Sequence, residues 1–108
     1  HQTRQVLCRL LPQGEPKRQT VASAMNMSTR TLQRRLQEEG VSFQQLLERT
    51  RRELALQYLG QPQLTLFEIA CMLGFADPSN FFRAFKRWFG LPPGQYREQV
   101  LQDQSEEE

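Results

Sequence analysis

A chain of 108 residues, 38% hydrophobic and 24% charged, has room for one compact domain or for two very small helical lobes sharing a long element. It contains no apolar run near the roughly 20 residues that cross a bilayer and no signal-peptide pattern. With one histidine (His1) and two cysteines (Cys8 and Cys71), it also has almost no material for a histidine-based catalytic or zinc site. The net charge is +2, but residues 1–102 carry 14 bases against 8 acids and Asp103 to Glu108 four acids and no base, a distribution that suits a polyanionic partner and also an ordinary soluble domain.

Helical periodicity runs throughout, and no stretch alternates apolar with polar residues for long enough to form a strand. The expectation is an all-α fold of about seven helices, at 3–11, 18–25, 28–39, 43–59, 65–73, 78–89 and 93–101. Gly and Pro punctuate them at Pro12–Gly14–Pro16, Gly40, Gly60–Pro62, Gly74, Pro78 and Gly90–Pro92–Pro93–Gly94. Ser28 can cap the third helix and Gly40 stop it. Asp77 followed by Pro78 pairs a cap with a first-turn proline, a strong helix start. The fourth helix, from Phe43 to Leu59, carries an apolar seam of Leu46, Leu47, Leu54, Ala55, Tyr58 and Leu59. Seventeen residues at 1.5 Å each span roughly 26 Å, so it reads as a linker between a first lobe at 3–40 and a second at 63–101. The acidic tail, 103–108, is expected to be disordered.

The two lobes repeat one pattern. Val21-Ala22 precedes Met25-Asn26-Met27 as Ile69-Ala70 precedes Leu73-Gly74-Phe75, at an offset of 48; after one inserted residue, Ala76, Ser28 meets Asp77, Leu32 meets Phe81, Arg34 meets Arg83 and Leu36 meets Phe85. Small Ala22 and Ala70 permit close helix crossing, and Asn26 and Gly74 tolerate a positive φ. Short helix, tight turn, cap and longer helix make a helix-turn-helix, whose second helix can enter a DNA major groove.

In each second helix, Leu32 and Leu36, or Phe81, Phe85 and Phe89, are expected to point inward. Arg30, Gln33 and Arg34 in the first copy, and Ser79, Phe82 and Arg83 in the second, are expected to point outward. Arg can grip guanine, Gln can grip adenine, and Phe can press on a thymine methyl. The competing reading of Arg30, Gln33 and Arg34 is a solvated helix face; Phe82 is either a base contact or core. Thr29, Arg35, Arg51, Asn80, Lys86 and Arg87 are the candidate phosphate contacts. For Arg51 and Arg52 an ion pair with Glu48 competes with that role, and for Arg35, Lys86 and Arg87 simple solvation does. Cys71 reads as core packing rather than a reactive thiol, and Trp88 and Tyr96 as core or lobe-closing residues.

The segment IACMLGFADPSNFFRAFKRWFGLPPGQYR, Ile69 to Arg97, with its Ile-Ala, Gly-Phe, Phe-x-x-x-Phe-Lys, Phe-Gly and Pro-x-x-Tyr-Arg, resembles the signature of the AraC/XylS family of bacterial transcription regulators. The resemblance covers residues 17–98. Ser28 to Leu36 is similar to that family's less regular first motif, and Arg51 and Ala55 match its linker helix. Pro78 stands where many members carry a polar residue, and Phe82 is larger than the usual side chain there. The resemblance implies that 1–102 is a DNA-binding domain with two reading helices in adjacent major-groove segments. It places the base contacts at Arg30, Gln33, Arg34, Ser79, Phe82 and Arg83, with no cofactor and no enzymatic activity. It further implies double-stranded DNA and RNA polymerase as partners, a cytoplasmic location, and an N-terminal effector-binding or dimerisation domain. The missing initiator Met fits a piece of a larger regulator.

Two other classes compete. An enzyme with a DNA-binding appendage, such as an alkyl acceptor in DNA repair, would need a cysteine in a basic, exposed setting. A helical protein-interaction module would present the same outward faces to a protein, without the salt dependence of phosphate contacts.

Overall fold

A computed structural model of the chain describes the backbone of residues 2–106 and the side chains of residues 2–103. The described residues form seven helices and no strand: α1 (Gln2–Leu10), α2 (Arg18–Ala24), α3 (Thr29–Glu38), α4 (Phe43–Leu59), α5 (Leu66–Met72), α6 (Pro78–Phe89) and α7 (Pro93–Glu106). After α1 the chain tightens into a 3-10 turn at Leu11–Gln13, where Pro12 has no N–H to continue the helix. The acidic tail departs from its expectation, since α7 runs on through Asp103 to Glu106; residues 107 and 108, and His1, lie outside the described residues.

Side-chain caps start the helices. Ser28 Oγ accepts from the Thr31 amide and opens α3. Ser42 and Gln45 form a reciprocal capping box at α4, as Thr65 and Glu68 do at α5, each relieving two otherwise unpaired amides. Asp77 accepts from the Ser79 amide at the head of α6, with Pro78 in the first turn.

The repeat holds down to single hydrogen bonds. Met27 N–H donates to Ala22 carbonyl at 3.0 Å, and Phe75 N–H to Ala70 carbonyl at 3.1 Å; Asn26 donates to Ser23 and Gly74 to Cys71, both at 3.0 Å. Asn26 and Gly74 take left-handed φ of 57° and 83°. Thus α2–α3 and α5–α6 are two helix-turn-helix units.

Apolar packing then assembles the units. Val21, Ala22, Leu32 and Leu36 in the first, and Ile69, Ala70, Phe81 and Phe85 in the second, are buried; each fully buried Leu or Phe contributes about 1.5–3 kcal/mol. Phe89, Trp88 and Tyr96 are half-buried against this core, closing the second lobe as expected. Helix α1 packs on α2 and α4, and α7 on α4 and α6. The molecule measures 48 × 26 × 23 Å. Its lobes are not held by the linker alone: the Leu11–Gln13 turn of the first lobe packs on α5 of the second, and one cluster runs from Leu7 and Leu11 to Phe85.

Candidate nucleic-acid interface

Helix α3 turns Leu32 and Leu36 into the core, which leaves Arg30, Gln33, Arg34 and Gln37 exposed. The spacing i, i+3, i+4, i+7 puts these four on one stripe, and with Thr31 they line an open concavity. Arg35 is exposed beside that stripe, and Thr29 is half-buried at the head of the helix. Arg18, from α2, stacks its guanidinium 5.4 Å above the Phe43 ring.

Helix α6 repeats the arrangement. Phe81 and Phe85 go inward, and Ser79, Phe82, Arg83 and Lys86, at the same spacing, are exposed. Phe82 is 39% exposed, its ring 5.8 Å from Phe81. It is therefore a surface side chain that leans on the core rather than a member of it. Arg83 Nη2 donates to Asn80 Oδ1 at 2.6 Å, so Asn80 orients the arginine. Arg87 is 67% exposed and lies 3.5 Å from Glu48, which leaves most of its surface open to a second anion. Either stripe offers arginine forks able to bind a guanine edge or a phosphate in bidentate fashion.

Arg51 requires correction. It is only 6% exposed. Its Nε donates to Leu73 carbonyl at 2.8 Å and its Nη2 to Gly74 carbonyl at 3.1 Å. Its Nη1 donates to Glu15 at 3.2 Å, and its guanidinium stacks 4.1 Å above Phe75. A guanidinium so committed and so buried has no face left for a phosphate. Burial lowers its pKa and Glu15 offsets part of that, but arginine remains protonated at neutral pH. For Arg51 the alternative pairing with Glu48 also fails, because its guanidinium is spent on Leu73, Gly74 and Glu15. Glu48 instead accepts from Trp88 Nε1 at 2.7 Å and pairs with Arg87; Arg52 acts on Glu48 through its charge. The Trp88 indole N–H holds the Glu48 carboxyl below its usual range; slight burial opposes this, and Arg87 and then Arg52 add to it. Cys71 is likewise exposed rather than core, and both cysteines are free.

Several polar attachments escaped the sequence reading, among them Trp88 to Glu48 and Arg4 to Glu53; two others bear on how the lobes are held. Glu15 is one. Arg97 is the other: it donates to the carbonyls of Tyr58, Leu59 and Gln61 and so caps the end of α4. Its place in the Pro-x-x-Tyr-Arg motif was the available signal, whereas nothing in the sequence ties Glu15 to Arg51. Among the described residues, no group of three or more His, Cys, Asp or Glu gathers where it could hold a metal ion, and no helix is long and apolar enough to cross a membrane.

Two helix-turn-helix units on a shared linker helix, each with an outward stripe of base-reading residue types, define a class of tandem helix-turn-helix proteins. Residues 21–99 match the helix-turn-helix domain family, and the chain belongs to its AraC-type branch. It is 47% identical over 89 residues to the HTH-type transcriptional regulator VirS of Mycobacterium tuberculosis, a match covering 82% of this chain and 26% of VirS. It superposes with a TM-score of 0.78 and 28% identity on a DNA-binding transcriptional dual regulator from Escherichia coli K-12, covering 94% of this chain and 95% of that one. The DNA-binding domain of AdpA, a global transcriptional factor solved in complex with a target DNA, is 27% identical at a TM-score of 0.71, covering 91% of each chain. The chain spans about a quarter of the length of the curated relatives it matches.

Proposed function

We propose that residues 1–102 form a domain that binds double-stranded DNA at specific sequences and thereby regulates bacterial transcription. Helices α3 and α6 enter adjacent major-groove segments. One observation carries this reading: the stripe Arg30, Gln33, Arg34, Gln37 and its counterpart Ser79, Phe82, Arg83, Lys86 are both exposed, at one spacing, on the second helix of each unit. The duplicated fold exposes these positions in both helices, and what favours DNA is their chemistry: Arg34 is matched by Arg83, and Phe82 stands exposed beside it. The AdpA domain in complex with its target DNA supports it.

In this reading Arg30, Gln33, Arg34, Ser79, Phe82 and Arg83 contact bases, and Thr29, Arg35, Asn80, Lys86 and Arg87 contact phosphates. Arg51 leaves the phosphate set because it is buried. The domain works in the cytoplasm, as part of a longer regulator whose remaining portion binds an effector or dimerises, and which acts on RNA polymerase. The family is one of transcription regulators rather than an enzyme class.

Selection of bound sites from random duplex DNA, followed by titration of the enriched site at several salt concentrations, tests the proposal. The expected result is one enriched motif and a log K against log salt slope of about −3 or steeper, since each neutralised phosphate adds about −0.9. No enrichment, or binding indifferent to salt, contradicts it.

A further inference from the structure

We infer that Arg51 is a positioning residue which fixes the spacing at which the two reading helices meet DNA; the inference rests on the reading proposed above. Three parts of the molecule converge on its guanidinium. It projects from α4, at the middle of the linker. It donates to Leu73 and Gly74 carbonyls, which form the turn three residues ahead of α6. It also donates to Glu15, which follows the Leu11–Gln13 turn of the first lobe. Phe75 underlies it, 4.1 Å away.

The contact between lobes at this point is backbone against backbone. A Cβ on Gly74 would stand 2.9 Å from Leu11 carbonyl oxygen and 3.0 Å from that of Gly14. Nothing at that contact is a flexible side chain that can give. Arg51 supplies the directional part: three donors fixed in one plane bind acceptors in both lobes, and a planar fork leaves little freedom to rotate. At the other end of α6, Trp88 donates to Glu48, one helical turn from Arg51 on α4. Helix α6 is thus tied to the linker near its head and near its tail. Glu15 is itself exposed, so the tie to the first lobe is the weaker one.

The consequence for DNA concerns spacing rather than base preference. Inserting one base pair between two sites moves them apart by about 3.4 Å and rotates one against the other by about 35°. A locked pair of helices cannot follow that change; a loosened pair can.

The test compares the parent chain with Arg51→Lys, which keeps the charge and loses the fork, and with Glu15→Gln, whose exposed site leaves folding intact. One arm needs no DNA. Spin labels at Gln37→Cys and Glu98→Cys, in a Cys8→Ser, Cys71→Ser background, report the distance between lobes. A narrow distribution is expected for the parent, a clearly broader one for Arg51→Lys and an intermediate one for Glu15→Gln. Equal widths for all three overturn the inference. The second arm measures affinity for the selected site and for versions with one base pair inserted or removed between its two blocks. The parent should lose about tenfold or more on changing the spacing, and Arg51→Lys about threefold or less, with base preference inside each block unchanged. If Arg51→Lys weakens every spacing by the same factor, Arg51 only stabilises the fold and the inference is wrong. Failure of the parent to bind any selected duplex would sink the proposed function instead, and the label distances would still decide the role of Arg51.

Discussion

The two helix-turn-helix units share a backbone and differ in what surrounds the turn. In the first, the turn residue is Asn26, exposed at a left-handed φ of 57°, and the core beneath α3 is mainly aliphatic, with Val21, Leu32, Leu36 and Leu47 and the one ring of Phe43. In the second, the turn residue is Gly74, buried at 83°, and the core is a run of touching rings from Phe75 through Phe81 and Phe85 to Phe89 and Tyr96. Asparagine tolerates the left-handed region because its short polar side chain can hydrogen-bond locally, but it needs space. Gly74 has none, since the first lobe's backbone abuts it. One turn faces solvent and the other is the joint between lobes. Sequence divergence between two copies of a motif therefore reports which copy carries the contact.

Substitutions should separate the two copies, the largest effects first. Leu54→Pro, in the buried middle of α4, should cost about 3 kcal/mol or more. Because one core spans both lobes, the near-UV dichroism of Trp88 and Tyr96 should fall together with DNA binding; survival of the aromatic signal would show the lobes to be independent. Gly74→Ala meets a strained φ and a backbone clash at once and should cost about 2–4 kcal/mol in urea unfolding. Asn26→Gly, at the matching position, should change stability by less than about 1 kcal/mol. Equal losses at the two turns would erase the distinction between them.

Effects on binding come next. Arg34→Ala should cost about 1–3 kcal/mol and relax preference at one base position. Lys86→Ala, which removes the same charge, should weaken all sequences alike and reduce the salt slope by about one ion. A panel of single-base site variants at two salt concentrations distinguishes them, and parallel losses for Arg34→Ala across the panel would rule it out as a base reader. Phe82→Ala should remove one thymine preference while costing about 1–2 kcal/mol of stability, because the ring is only partly buried, short of the roughly 3–5 kcal/mol of a core phenylalanine. A larger loss of stability would assign the ring to the core.

The smallest effect is a pH dependence. The carboxyl of Glu48 titrates lower in the folded chain than its ordinary value, first through the Trp88 hydrogen bond. Its contribution to stability is therefore complete above the unfolded glutamate pKa of about 4.3 and is lost as pH falls through the lowered folded value. Trp88 fluorescence followed from pH 6 to pH 3 should report the break, and Glu48→Gln should abolish that part of the transition.

Most of the helices and both outward stripes were legible in the sequence because they depend on local rules. Ser28, Asp77 and Pro78 mark helix starts by hydrogen bonding and fixed φ, and Leu32, Leu36, Phe81 and Phe85 mark inward faces by their period. Arg51 was misread because a charged residue on a linker helix ordinarily faces solvent. Its burial depends on Leu73, Gly74 and Glu15, partners 22 to 36 residues away, which no periodicity reveals. Cys71 was misread by its apolar neighbours: Ala70 is buried and Cys71, one position on around α5, is exposed. The acidic stretch from Asp103 to Glu106 continues α7 even though its charge suggested disorder.

The central claim is that α3 and α6 each read their own block of one duplex. It is tested most directly by selecting sites from random DNA with three chains: the parent, the triple variant Arg30→Ala, Gln33→Ala, Arg34→Ala, and the double variant Phe82→Ala, Arg83→Ala. The parent should enrich an asymmetric motif of two blocks centred about 10–10.5 base pairs apart. The triple variant should lose sequence preference in one block only, and the double variant in the other only. A palindrome bound by two copies, or equal loss in both blocks for either variant, would contradict the account.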